Sequence, residues 1–125
     1  MILNNRYTKK EKLKSKKDIE YLFKKGKSIN AFPIRLIHVN KNEPKGVLLN
    51  VGVTVSKKNI KLAVHRNLIK RRIREAYRLN NSELKEHLQT EELEMNIMFI
   101  YSAKEILPYA VIEEKIKVLL TCLME

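Results

Sequence analysis

Two hydrophobic periods run through this chain, and the switches between them mark out its elements. Ile19, Leu22 and Phe23 recur at helical spacing, and Ser15 stands where an N-cap belongs. A helix is predicted over 15–25, with Gly26 as its C-terminal stop. Pro33 introduces a strand over 34–40, and the polar run at 40–46 reads as a turn. Val47, Leu49, Val51, Val53 and Val55 share one side of a second strand. The strands 34–40 and 47–55 are predicted to form a hairpin. A basic link at 56–61 leads into a long helix over 63–79, closed by polar residues at 80–83. Ser82 is placed to cap a further short turn at 83–88. Residues 96–101 form a third apolar run of strand length. Beyond Pro108 a last helix spans 109–123, where Ile112, Ile116, Leu119, Leu120 and Leu123 make a stripe suited to core packing. Residues 1–14 are polar and Lys-rich and read as an arm, with 1–10 as its mobile basic part. The order α-β-β-α-β-α argues for one sheet with helices against it, a single small α/β or α+β domain over 1–125.

Charge sharpens this picture. The 125 residues carry 26 Lys and Arg against 14 Asp and Glu, a formal net charge of +12. The excess is concentrated. Residues 1–27 carry a net +7, 57–78 a net +8, and 82–125 a net −5. A molecule polarised this way is suited to a polyanion: DNA, RNA or an anionic membrane surface. No apolar run approaches the roughly 18 residues of a membrane span. Residues 1–17 lack the apolar core of a secretory signal, and the lone Cys122 offers neither disulfide nor zinc site. A cytoplasmic protein with one buried thiol is expected.

The helix over 63–79 is the informative element. At about 100° per residue, Arg66, Asn67, Lys70, Arg71, Arg74 and Arg78 fall in one arc of about 140°. Ile69, Ile73 and Ala76 lie opposite, and Arg72 falls on the apolar side, where it must snorkel. From Arg66 to Arg78 the stripe runs about 18 Å, enough to follow several phosphates. Cations at i, i+4 repel one another on an isolated helix. A polyanion relieves that repulsion, and guanidinium groups suit phosphate oxygens.

Residues 51–80, "VGVTVSKKNIKLAVHRNLIKRRIREAYRLN", resemble the core of the bacterial ribonuclease P protein subunit. Arg66-Asn67, Lys70-Arg71 and Arg74 match the family's Arg-Asn-x-x-Lys-Arg-x-x-Arg pattern, and Ser56-Lys57-Lys58 matches the step before it. Residues 12–28 are similar to the family's first helix and the glycine after it. The resemblance covers about residues 10–123. It implies an α+β fold of order α-β-β-β-α-β-α: a four-stranded sheet with packed helices in two layers and a left-handed βαβ crossover. The fourth strand would be a break within 47–55 or a short edge piece. It also implies a partner, the catalytic RNA, which would hold the active site and most of the Mg2+. The substrate would be precursor tRNA, cut to release its 5′ leader, with no further protein partner required. Arg66, Asn67, Lys70, Arg71 and Arg74, with Lys57 and Lys58, would contact RNA. A cleft matching Ile19, Phe23 and Ile37 would receive the leader. Relatives often carry aromatics where Ile19 and Ile37 stand, so stacking here would rest on Phe23.

The residues themselves offer no catalytic constellation. Asp18 is the single aspartate, and the glutamates crowd 83–94, a stretch that reads as peripheral. His38, His65 and His87 are isolated in sequence, and a thiol in an apolar helix is a poor nucleophile. A general RNA-binding protein of ribosomal type would use the same basic helix. A helix-inserting DNA-binding protein fits less well, because a strand rather than a second helix precedes the basic helix. For a membrane surface the helix lacks aromatic anchors other than Tyr77.

Overall fold

A strand that is apolar on both faces must lie in the middle of a sheet, and a polar one at its edge. That rule orders the sheet of this protein. The structure is a computed structural model that describes residues 9–43 and 46–125. Most of the predicted mobile arm, residues 1–8, and two residues of the predicted turn, 44–45, lie outside the described residues. The elements are α1 (Lys16–Lys25), β1 (Lys27–Ala31), β2 (Ile34–Asn40), β3 (Leu49–Val55), α2 (Ala63–Asn80), α3 (Ser82–Thr90), β4 (Met95–Tyr101) and α4 (Tyr109–Leu123). The strands form one mixed sheet in the order β1-β2-β4-β3. β1 with β2 and β2 with β4 are antiparallel; β3 with β4 is parallel, joined through α2 and α3.

The predicted hairpin is therefore wrong. β4, buried at six of its seven positions, inserts between β2 and β3. The fourth strand is not a break within 47–55. It is β1, a short polar edge strand directly after Gly26. Gly26 closes α1 by donating its N–H to the Leu22 carbonyl at 2.8 Å, but in an extended rather than a left-handed conformation. Glycine is required there by space: a Cβ would lie 2.6 Å from the Ile37 Cγ2. Ser15 does cap α1, accepting from the Asp18 N–H at 3.3 Å.

Strand alternation sorts the side chains onto two faces. On one, Ile34, Leu36, Val51, Ile97, Phe99 and Tyr101 meet Ile69, Ile73, Ala76 and Tyr77 of α2 and the whole predicted stripe of α4. On the other, α1 sets Leu22 against Ile37 and Met98, with Leu13 and Ile19 packed around them. Residues 83–94 are less peripheral than predicted. Ser82 begins a full helix rather than capping a turn, and Leu84, Lys85 and Leu88 of that helix are buried. Cys122 is half-buried rather than buried.

The described part of the arm, residues 9–13, is held against β3. The Leu13 N–H donates to the Val51 carbonyl at 3.0 Å, and the Asn50 Nδ2 donates to the Lys10 carbonyl at 2.8 Å. Glu11 forms a buried ion pair with Lys85 of α3. An edge strand offers unpaired backbone groups, and this segment covers them.

His38, opposite Lys27 in the sheet register, is held below its ordinary value of about 6.5 by partial burial and then by that lysine. The unfolded chain thus binds the proton more readily. The stability this group contributes is intact above about pH 6.5 and is lost as pH falls below it. Thermal unfolding midpoints should drop between pH 7 and pH 5, and His38→Asn should flatten part of that drop.

Candidate nucleic-acid interface

The entry to α2 is built by a tight basic turn. The Ile60 N–H donates to the Ser56 carbonyl at 3.0 Å, the Lys58 N–H to Ser56 Oγ at 3.1 Å, and Ile60 is buried as the anchor. Lys57 and Lys58 are left exposed on the turn. Leu62, at the N-cap, supplies no side-chain cap. Arg66 reaches back instead, donating from Nη1 to the carbonyls of Ile60 at 2.9 Å and Lys61 at 2.7 Å. It is half-buried, so part of its guanidinium serves the fold.

Along the outer face of α2, Asn67, Arg71 and Arg74 are exposed and Lys70 is half-exposed. Among the described residues, none of these three cations is paired with a carboxylate. Arg78 differs. It grips Glu75 through two contacts, Nη2–Oε1 at 2.5 Å and Nε–Oε2 at 3.2 Å. That hydrogen bonding holds the Glu75 carboxyl below the usual carboxylate range and the Arg78 guanidinium above its own. Arg72 points off the stripe, as its position required, and donates to the Leu107 carbonyl at 2.9 Å. The stripe thus divides into an open cationic ridge at 67–74, a partly committed Arg66 and a neutralised Arg78.

The three predicted cleft residues do not share one open site. Ile37 is only 6% exposed, locked beneath α1 by Leu22 and Met98, and Ile19 is packed around the same small core. Phe23, one helical turn after Ile19 on the same flank of α1, is 50% exposed. The next rank of the sheet beyond Ile37 is open. There Arg35, Ile100 and Thr54 lie side by side across β2, β4 and β3, with Arg35 exposed and the other two half-exposed. They sit at the end of the sheet from which Lys57 and Lys58 project. The turn between β1 and β2 adds Phe32, 67% exposed. The sequence reading missed these four residues. The alternation within β2 held the signal, since Arg35 shares the face of Ile37 and not that of Ile34.

His65 and His87 lie apart on α2 and α3, both half-exposed. Among the described residues no three His, Cys, Asp or Glu side chains come together as metal ligands. No helix among them is long and apolar enough to cross a membrane.

The fold and the site define a class: small mixed α+β domains whose most cationic helix turns an open charged face to solvent. The comparisons with known proteins make the class specific. The sequence model of the family described as Ribonuclease P matches residues 7–124, and the chain belongs to that family. It is 32% identical over 106 residues to the ribonuclease P protein component of Porphyromonas gingivalis, covering 85% of this chain and 77% of that one. The structure is similar to that of the Staphylococcus aureus RNase P protein, with a TM-score of 0.70 at 27% identity over 90% of this chain and 94% of that one. The Thermotoga maritima RNase P protein shares the fold, with a TM-score of 0.70 at 24% identity over 90% of this chain and 96% of that one.

Proposed function

We propose that this chain, a protein component of ribonuclease P, binds the catalytic RNA and the 5′ leader of precursor tRNA, and so assists the RNA in removing that leader. The observation that carries the reading is the ridge of Asn67, Lys70, Arg71 and Arg74, exposed to solvent with its cations unmatched by carboxylates among the described residues. Arg66 contributes to RNA contact with whatever guanidinium N–H its backbone bonds leave available. Lys57 and Lys58 extend the positive surface toward the open rank of Arg35, Thr54 and Ile100. There Phe23 offers a ring face on which a leader base stacks, worth roughly 1–3 kcal/mol. Ile19 and Ile37 act in this reading by fixing α1 at its angle, not by touching RNA.

The role is electrostatic and positional. Cations on the ridge reduce repulsion between two RNA molecules and release counterions on assembly. Mg2+ and the cleavage chemistry rest with the RNA, in the cytoplasm, where precursor tRNA is met. The test is reconstitution. The protein is mixed with a bacterial ribonuclease P RNA at low Mg2+, and leader release from precursor tRNA is followed. A rise in cleavage over RNA alone is expected. Cleavage by protein alone would overturn the assisting role, and no stimulation would favour a general RNA-binding protein of ribosomal type.

A further inference from the structure

The flank of α1 opposite Phe23 borders a second concave surface. Lys17, Asp18 and Tyr21 project there, about 100–180° around the helix from Ile19 and Phe23. Together with residues 12–14 and the residues Lys41, Asn42, Glu43 and Val47 they line a cavity of about 410 Å³. That volume is within the roughly 300–1,000 Å³ of ligand pockets. The buried Ile37–Met98–Gly52 rank lies beneath α1 and separates this cavity from the open rank on the Phe23 side.

Two independent features point to a ligand. The first is the rim. Lys10, Lys12, Lys14 and Lys17 are exposed, and none has a carboxylate partner among the described residues, although Asp18 and Glu43 also line the space. The second is the floor. Asn96, in the central strand β4 and only 4% exposed, lines the cavity, and its Oδ1, turned into the protein, has no donor among the described residues. A buried acceptor left without a donor is costly and is usually retained for a reason. Beside it, Asn50 is committed to the Lys10 carbonyl, which fixes the rim relative to the floor. The Tyr21 hydroxyl donates to Asn42 Oδ1 at 3.0 Å, which steadies its ring at the wall.

We infer that this cavity is a pocket for one unpaired ribonucleotide, with its phosphate on the lysine rim and its base or ribose over Asn96, whose amide turns on binding so that Oδ1 accepts a ligand N–H or O–H. An inorganic anion would satisfy the rim and leave Asn96 unmet, whereas a ribonucleotide satisfies both and adds a ring face for Tyr21. The inference rests on the RNA-binding function proposed above. The nucleotide comes from the catalytic RNA or from the distal part of a leader, and the test separates these sources.

Two variants are compared with the unsubstituted chain, Asn96→Leu and the pair Lys12→Ala/Lys14→Ala. One arm measures affinity for a bacterial ribonuclease P RNA. The other measures affinity of the reconstituted holoenzyme for precursor tRNA with leaders of two and of ten nucleotides. Each variant should weaken one arm by about fivefold, the scale of one net hydrogen bond. The lysine pair should also make the salt dependence shallower. A loss in the first arm assigns the nucleotide to the catalytic RNA, and a loss confined to the ten-nucleotide leader assigns it to the substrate. Asn96→Leu should keep or raise the thermal midpoint while it weakens binding, because it removes a buried acceptor without a partner. Parallel loss of stability and binding would show a structural asparagine and overturn the proposal. So would unchanged binding in both arms, or a loss from the lysine pair alone. If the unsubstituted holoenzyme fails to prefer precursor over mature tRNA, the leader reading fails by itself, and the first arm still decides the pocket.

Discussion

Replacing Lys70, Arg71 and Arg74 together with alanine is expected to lower affinity for ribonuclease P RNA by between about a hundredfold and a thousandfold at near-physiological salt. Each of these side chains reaches solvent from one face of α2, and none is paired with a carboxylate among the described residues. Their whole charge is therefore available to phosphate. Three lost contacts should also flatten the slope of log K against log salt by about 2.7. The fold should tolerate the change, since the buried side of α2 is formed by Ile69, Ile73, Ala76 and Tyr77. Arg72→Ala is the informative control. Its guanidinium is bonded to the Leu107 carbonyl in the loop before α4. Its loss should lower the thermal midpoint and leave the salt slope nearly unchanged. Arg78→Ala should weaken RNA binding less than Arg74→Ala, because Glu75 already neutralises Arg78. Filter-binding titrations over a salt series measure the affinities and slopes, and thermal melting measures the Arg72→Ala midpoint. A triple variant that loses less than about threefold, with an unaltered slope, would remove the ridge from the RNA interface.

The ridge was legible in the sequence because it lies on one helix. A period near 3.6 fixes which residues share a face, and the apolar set Ile69, Ile73 and Ala76 is buried as its spacing required. The stripe of α4 was legible for the same reason. What failed depended on contacts between distant segments. β1 has too little apolar content to announce a strand, and it forms by pairing with β2. The hairpin error came from treating chain neighbours as sheet neighbours. The nearly unbroken apolar run of β4 already argued for a central position. Arg66 matches the motif, but its bonds to Ile60 and Lys61 follow from the turn geometry at 56–60, which no periodicity encodes. Asn96 was invisible as chemistry. Inside an apolar strand, a single amide reads as an irregularity until the space above it is seen.

Glu11→Ala is expected to destabilise the protein by up to about 3–5 kcal/mol, the cost of removing one side of a buried ion pair. Glu11 and Lys85 are 7% and 6% exposed, and their ion pair joins the segment before α1 to α3. Lys85→Ala should cost a similar amount, because it removes the other side of the same pair. Replacing both with methionine should come much closer to the unsubstituted stability, since the desolvation of both charges disappears together. Urea unfolding of the unsubstituted chain, the two alanine variants and their combination Glu11→Ala/Lys85→Ala gives the coupling directly, with the methionine pair measured beside them. The pair should also resist salt, because little water or counterion reaches it. A single-variant loss below about 1 kcal/mol would mean that the pair behaves as a surface contact. The consequence for function lies in what the pair holds. Glu11 stands between Lys10 and Lys12, and the backbone on both sides is tied to β3 through Asn50 and Val51. A run of lysines that composition alone describes as a loose arm is thereby held along a sheet edge, at the mouth of the Asn96 cavity. The methionine pair should keep it in place and leave binding through the α2 ridge intact. Loosening it with Glu11→Ala alone should blur the lysine rim as well as lower stability.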